Sequence, residues 1–310
     1  MPGLPLVTLP DQSWIDGLGP VEGLEVAPWD LHTMPARDDE IEVVVPPYLD
    51  GAVNFAHLAA LPSLSVVQLL TAGYEHVAPH VPESVRLCNA AGVHDASTAE
   101  LALALTLASL RGIPDFVVAQ QDSTWLPTRE WPALADKKVL VVGYGNVGRA
   151  IVRRLLPFEV DVAVVASRSR PGDDLVGTVH GIDDLPQLLP AADVVILIVP
   201  LTDSTAGLAD AAFLAAMPDG SLLVNVARGK VVDTAALLAE TRSGRLRAAL
   251  DVTDPEPLPA GHPLWRTPGV LIAPHVGGAT SAFLPRAVRL VRAQLEAYAA
   301  GAPLANVVVG

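Results

Sequence analysis

Apolar residues in this chain come in short runs of four to seven, separated by polar stretches and by breaks rich in Gly and Pro. The first 90 residues carry such runs at Leu4–Leu9, Leu24–Ala27, Ile41–Val45, Val66–Leu70 and Val85–Cys88. Each has the length and the flanking turn residues of a buried strand. Helical spacing falls between some of them, for example over Val53–Leu61. Strands that alternate with helices predict a parallel sheet with crossover connections. Residues 97–111 predict a long helix, with Ser97 as N-cap and Glu100 three residues on. It is apolar nearly all round, which predicts a buried helix bridging two bodies. A second set of strands follows at Val139–Val142, Val160–Ala166, Val194–Ile198, Leu222–Asn225, Ala248–Asp251 and Val270–Ile272. Helical segments such as Ala206–Ala216 and Thr234–Arg242 separate most of them, which predicts a doubly wound α/β sheet. The last helix, Ser281–Ala300, and a short strand, Asn306–Val309, come too late to extend that sheet and are assigned to the first domain. The expected organisation is therefore 1–96, then 97–280 inserted, then 281–310.

Length and composition narrow the class. A chain of 310 residues is long enough for two sizeable cores. It is 51% hydrophobic, yet no 18-residue stretch is cleanly apolar, so no membrane span is expected. The opening Met1-Pro-Gly-Leu-Pro lacks the basic and apolar regions of a signal peptide. Cys88 is the single cysteine, which excludes an internal disulfide framework and fits a reducing cytoplasm. A net charge of −14 argues against nucleic acid and anionic membranes as partners. No metal site is expected.

The candidate chemistry starts at Lys138–Arg154, where an apolar strand runs into Gly143-Tyr-Gly145-Asn-Val-Gly148 and a helix follows at once. That context is the one a dinucleotide fingerprint requires. Gly143 allows the tight turn, Gly145 lets a pyrophosphate approach, and Gly148 lets the helix pack close to the strand. An NAD-selecting acid is expected about 20 residues on, at the end of the next strand. That position, 19 residues after Gly148, holds Ser167, in the run Ser167-Arg168-Ser169-Arg170. With no carboxylate there, Arg168 and Arg170 can take a 2′-phosphate, so NADP is expected in preference to NAD. The alternative is two solvated arginines, with Asp173 and Asp174 close enough to neutralise them. Three further strand ends carry polar residues: Arg228, Asp251 with Glu256 five residues on, and His275. A guanidinium, a carboxylate and an imidazole at one rim suit hydride transfer to a 2-keto acid. Arginine forks the substrate carboxylate, and the imidazole moves the proton while the carboxylate orients it.

These residues lie in motifs that resemble those of the D-isomer-specific 2-hydroxyacid dehydrogenases. The motifs are Asn225–Asp233, Leu250–Leu258, Ala273–Gly278, Pro200–Leu208, Leu70–His76, Cys88–Gly92 and Thr98–Glu100. The likeness runs from about residue 62 onward. It implies a Rossmann cofactor domain inserted in a smaller flavodoxin-like substrate domain. It further implies that Arg228 binds the substrate, that His275 is the acid/base and that Glu256 pairs with it. Asp251 and main chain at Ala227 would serve the nicotinamide. Asn146 and Val147 would present amides to the pyrophosphate, and Pro200, Thr205 and Gly277 would complete the cofactor groove. Amides at Ala72 and Gly73 would hold the substrate carboxylate. Tyr48 faces either the substrate or ordinary loop packing. The Trp125–Trp131 stretch resembles that of the glyoxylate/hydroxypyruvate reductase branch, where a tryptophan reaches the partner subunit of a homodimer. Trp131 is the candidate here, with interface core as the alternative. Glyoxylate or hydroxypyruvate is the expected substrate. The rival function is a dinucleotide-sensing corepressor on the same fold, which can keep the same triad.

Overall fold

The computed structural model describes residues 3–48 and 50–310. Met1 and Pro2, which open the stretch read as lacking a leader, lie outside them. In chain order the elements begin with β1 (Leu6–Leu9), α1 (Gln12–Leu18), β2 (Glu25–Pro28), β3 (Ile41–Val44), β4 (Val66–Gln68) and β5 (Arg86–Cys88). Then come α2 (Asp95–Leu110), α3 (Ile113–Gln121), β6 (Lys138–Val142), α4 (Asn146–Leu155), β7 (Asp161–Val165), β8 (Arg170–Pro171) and β9 (Thr178–Val179). The chain continues through α5 (Leu185–Leu188), β10 (Val194–Leu197), α6 (Ala211–Ala216), β11 (Leu222–Asn225), α7 (Thr234–Arg242), β12 (Arg247–Leu250) and β13 (Val270–Ile272). It ends with α8 (Phe283–Ala299) and β14 (Val307–Val309).

Two compact units result. One comprises the residues up to His94 together with Ser281–Gly310, and the other is Asp95–Thr280. The sheet of the first unit has the order β14-β5-β4-β3-β1-β2, parallel throughout except for β14, which pairs antiparallel with β5. The second unit has the order β13-β12-β11-β10-β6-β7, all parallel. Its central strands β10 and β11 are buried along their whole length. That burial is why they read as unbroken apolar runs: both faces of a doubly wound sheet are covered. Each unit has two apolar clusters of its own. α2 supplies Ala99, Ala102, Leu103, Leu105 and Leu110 to the second unit's core. No single helix among the described residues is long and apolar enough to cross a membrane.

Three expected elements are corrected. The helix read over Val53–Leu61 is a 3-10 segment, Phe55–Ala60, capped by the Asn54 side chain on the amide of Ala56. α2 begins at Asp95, so Ser97 lies in its first turn rather than at the cap; its hydroxyl bonds Thr280 at 2.7 Å. The helix read from Ala206 begins only at Ala211. Gly207 sits at φ 66, outside helical space, and the Asp210 carboxylate caps α6 by accepting from Phe213.

Candidate active site

The turn from β6 into α4 is shaped by what its glycines exclude. A Cβ on Gly148 would fall 2.0 Å from the carbonyl oxygen of Gly143, and one on Gly143 would fall 2.4 Å from that of Ile198. A Cβ on Gly145 would meet nothing within 4 Å. The outer two glycines are therefore needed for backbone-on-backbone packing, while the middle one faces open space. Gly145 caps α4 without a side-chain hydrogen bond, and the amides of Asn146 and Val147 find no acceptor among the described residues. Free amides at the positive end of a helix suit a pyrophosphate. On the opposite side of the turn, the Thr205 hydroxyl donates to the Pro200 carbonyl at 2.6 Å and accepts from the amide of Thr202 at 2.8 Å.

Beyond β7, Ser167 and Arg168 are exposed, and Arg168 makes no hydrogen bond or ion pair among the described residues. Arg170 differs: it donates to the carbonyl of Tyr144 at 3.0 Å. Asp173 and Asp174 do fold back, but onto Arg149, and Asp173 also accepts from the Tyr144 hydroxyl at 3.0 Å. Burial, then the Asp173 carboxylate, pushes the Tyr144 phenol up to about 12. Both acids thus have partners other than Arg168. Arg149 is the residue that the sequence did not single out; only the fold reveals its pairing with acids 24 and 25 residues away.

The loops that follow β12 and β13 of the same sheet carry the candidate acid/base residues. His275 Nδ1 lies 2.5 Å from Glu256 Oε1. His275 itself has φ 54, the left-handed region that a residue with a Cβ rarely occupies. Asp251, 3% exposed, holds it there. Its carbonyl accepts from the amide of His275 at 2.8 Å, and its two carboxylate oxygens accept from Val276 at 2.7 Å and Gly277 at 3.0 Å. Burial raises the Asp251 carboxyl above the usual carboxylate range, and those two amides and His275 pull it back down. The residue expected at the nicotinamide is therefore also the anchor of the histidine loop, as is Gly277, whose predicted role rests on the same amide.

Arg228 is presented by a similar device. Asn225, 1% exposed at the end of β11, donates to the carbonyl of Arg228 at 3.1 Å and accepts from the amide of Ala227 at 3.0 Å. The Arg228 guanidinium donates to the Ala227 carbonyl at 2.7 Å. A Cβ on Gly229 would fall 1.8 Å from the Thr253 carbonyl oxygen, so this turn lies directly on the loop leading to Glu256. Asn225 has a role that sequence reasoning missed, although an Asn just past a buried strand is a turn signal.

In the other unit, Asn89 donates to the Ala72 carbonyl at 2.8 Å and Thr71 to that of Gly73 at 2.7 Å. The amides of Ala72 and Gly73 have no acceptor among the described residues. His94 donates to the Leu70 carbonyl at 2.8 Å, fixing the start of this turn. Tyr48 stacks on Phe283, with centroids 4.0 Å apart, and on His94. Its ring face is committed to packing, and burial raises its phenol. Trp131 likewise packs within its own unit, edge-on to Phe116 and under Arg129. Trp125 instead is 96% exposed.

The family model for the D-isomer specific 2-hydroxyacid dehydrogenase, NAD binding domain, matches residues 103–277. Glyoxylate reductase of Thermofilum pendens is 34% identical over 263 residues, covering 82% of this chain and 77% of that protein. Glyoxylate reductase/hydroxypyruvate reductase of Mus musculus is 33% identical over 231 residues, covering 72% and 70%. Among solved structures, a D-isomer specific 2-hydroxyacid dehydrogenase from Xanthobacter autotrophicus Py2, in complex with NADPH and MES, is 30% identical. It superposes with a TM-score of 0.82 over 98% of this chain and 97% of its own.

Proposed function

This chain belongs to the D-isomer-specific 2-hydroxyacid dehydrogenase family, and from that premise we propose that it reduces glyoxylate or hydroxypyruvate with NADPH. Its chemistry is NAD(P)-dependent hydride transfer between the dinucleotide and a 2-keto acid or D-2-hydroxyacid. The observation that carries the reading is the His275–Glu256 pair, with Arg228 presented from the neighbouring strand end.

The bound nicotinamide supplies or accepts the hydride. Arg228 forks the substrate carboxylate and polarises the keto oxygen, a task its planar geometry suits. Glu256 occupies Nδ1 of His275, so Nε2 carries the mobile proton and delivers it to the developing alkoxide. In oxidation the same nitrogen takes that proton back. The free amides of Ala72 and Gly73 are assigned to the substrate carboxylate, and those of Asn146 and Val147 to the pyrophosphate. Reduction therefore consumes a proton at His275, and lower pH favours it.

The cofactor preference rests on Arg168, exposed and uncommitted, and on Ser167 in place of an acid. Arg170, already bound to the Tyr144 carbonyl, is the lesser contributor. The Xanthobacter relative was solved with NADPH. The decisive assay follows NADPH and NADH oxidation with glyoxylate and hydroxypyruvate. A charge-assisted hydrogen bond contributes about 1.5–3 kcal/mol. Arg168→Ala should therefore weaken NADPH by roughly tenfold or more and leave NADH nearly unchanged. Equal losses for both cofactors would make Arg168 a surface charge, and a wild type that prefers NADH would refute the preference outright.

The assembly assigned to the chain is a homodimer. What supports it is that α3 exposes Ile113, Phe116, Val117 and Val118, with the exposed Trp125 following, a concentration of exposed apolar side chains of the kind that marks an interface.

A further inference from the structure

The first unit carries an open polar cavity of about 460 Å³, at the end of its sheet opposite to the turn at Ala72 and Gly73. Its walls come from where the parallel strands begin. Pro5 and Gly23 stand just before β1 and β2, Glu42 is the second residue of β3, and Arg86 is the first of β5. The carboxyl end of α8, at Tyr298 and Gly301, closes one side.

A register irregularity falls at Glu42. β1 pairs Leu6 with Ile41 but Val7 with Val43, so Glu42 is skipped. Ile41 packs in the apolar cluster away from α8, and Val43 and Val45 pack in the cluster that includes α8, so Glu42 and Val43 both stand on the α8 face. The Tyr298 hydroxyl donates to Glu42 Oε2 at 2.5 Å, and Ser65 Oγ lies 2.9 Å from the same hydroxyl. Burial, then Glu42, raises the Tyr298 phenol, so it remains a donor. Glu42 Oε1 stays uncommitted.

Arg86 has no such partner. It is half-buried, yet its guanidinium makes no hydrogen bond or ion pair among the described residues. Its guanidinium lines an open volume, where it is accessible to a ligand. Glu42 and Arg86 are the charged residues of the lining, and they cancel. They stand on strands two apart, hence about 9–10 Å between backbones. A small group that carries both charges can bridge a carboxylate and a guanidinium set on strands this far apart. The negative end of the α8 dipole lies on the Glu42 side, where it favours a cation.

We infer that this cavity binds a small zwitterion of the α-amino acid class, with its carboxylate on Arg86 and its ammonium on Glu42. The site is independent of the catalytic reading, since Glu42, Arg86 and Tyr298 have no part in it.

The test uses the full-length protein and saturation-transfer NMR, with L-alanine, acetate and methylammonium as probes. L-alanine should give a saturable signal, and acetate or methylammonium alone should bind at least tenfold more weakly. Arg86→Gln should weaken L-alanine by at least tenfold, and Arg86→Lys should restore only part of it, because lysine lacks the fork. Glu42→Gln should also weaken it. Turnover of the 2-keto acid without L-alanine should stay at the wild-type level in all three variants, which certifies their folding. Should Glu42→Gln fail to fold, the two Arg86 variants still decide the matter. Acetate binding as tightly as L-alanine would overturn the zwitterion in favour of a simple anion site. An unchanged L-alanine signal in Arg86→Gln, or no signal in the wild type, would overturn the site itself.

Discussion

At the scale of single residues, the site divides into groups that act and groups that hold them in place. His275 and Glu256, joined at 2.5 Å, are the pair to which the proposed proton transfer is assigned. Replacing His275 by Ala should lower kcat by about 10²–10⁴, the size of a general acid–base contribution, while the dissociation constant of the cofactor stays unchanged by fluorescence titration. Near wild-type turnover in that variant would remove the histidine from the mechanism. Arg228→Lys should raise KM for the keto acid and depress kcat/KM, since a point charge cannot reproduce the fork. Asp251 belongs to the second group. It secures the amides of His275, Val276 and Gly277, two of them through its side chain. Asp251→Ala leaves the Gly277 amide buried without an acceptor, at a cost of about 1–3 kcal/mol, and releases the part-buried Val276 amide. Both Tm and kcat should therefore fall; a lower kcat at an unchanged Tm would assign the residue to the cofactor alone. Arg228 and His275 stood out as candidates in the sequence because a charged residue or an imidazole just past an apolar strand is conspicuous, and Glu256 because it follows Asp251 by five residues. Asn225 as the holder of Arg228, and Arg149 as the partner of Asp173 and Asp174, were not, because their partners are a main-chain carbonyl and a distant loop.

At the scale of elements, the β6–α4 turn gives a contrast that separates folding from binding. Gly148→Ala must push the helix off the Gly143 carbonyl and should lower Tm by several degrees. Gly145→Ala adds a methyl group to open space at an ordinary negative φ, so Tm should hold. That methyl group stands where the pyrophosphate is assigned, and NADPH affinity should drop by at least tenfold. Thermal melts with and without NADPH read both effects. The strands were the most legible elements, because burial on both faces leaves unbroken apolar runs. Short helices were the least. Phe55–Ala60 satisfies helical spacing for less than two turns, too little to nucleate an α-helix. Around Gly207, backbone geometry overrode an apolar pattern that otherwise continued into α6.

At the scale of the whole molecule, the α3 surface bears on assembly. Val118, at 58%, is the most exposed of the apolar residues that α3 presents. Val118→Asp should convert a dimer into a monomer in sedimentation velocity, with the far-ultraviolet spectrum unchanged; a wild type that sediments as a monomer would discard the assignment. The arrangement of the chain in two units has a further consequence, in the order of synthesis. The sheet of the first unit takes its edge strand β14 and its covering helix α8 from beyond the second unit. Between His94 and Ser281 the ribosome must make the 186 residues of Asp95–Thr280, which at about 5–20 residues per second takes roughly 10–40 s. Through that interval the nascent chain presents β5 with an open edge and an apolar face that Ala287, Val291 and Leu295 of α8 will later cover. The second unit, contiguous in the chain, is the first able to close, and chaperone engagement at the tunnel exit should centre on β1–β5 until α8 emerges.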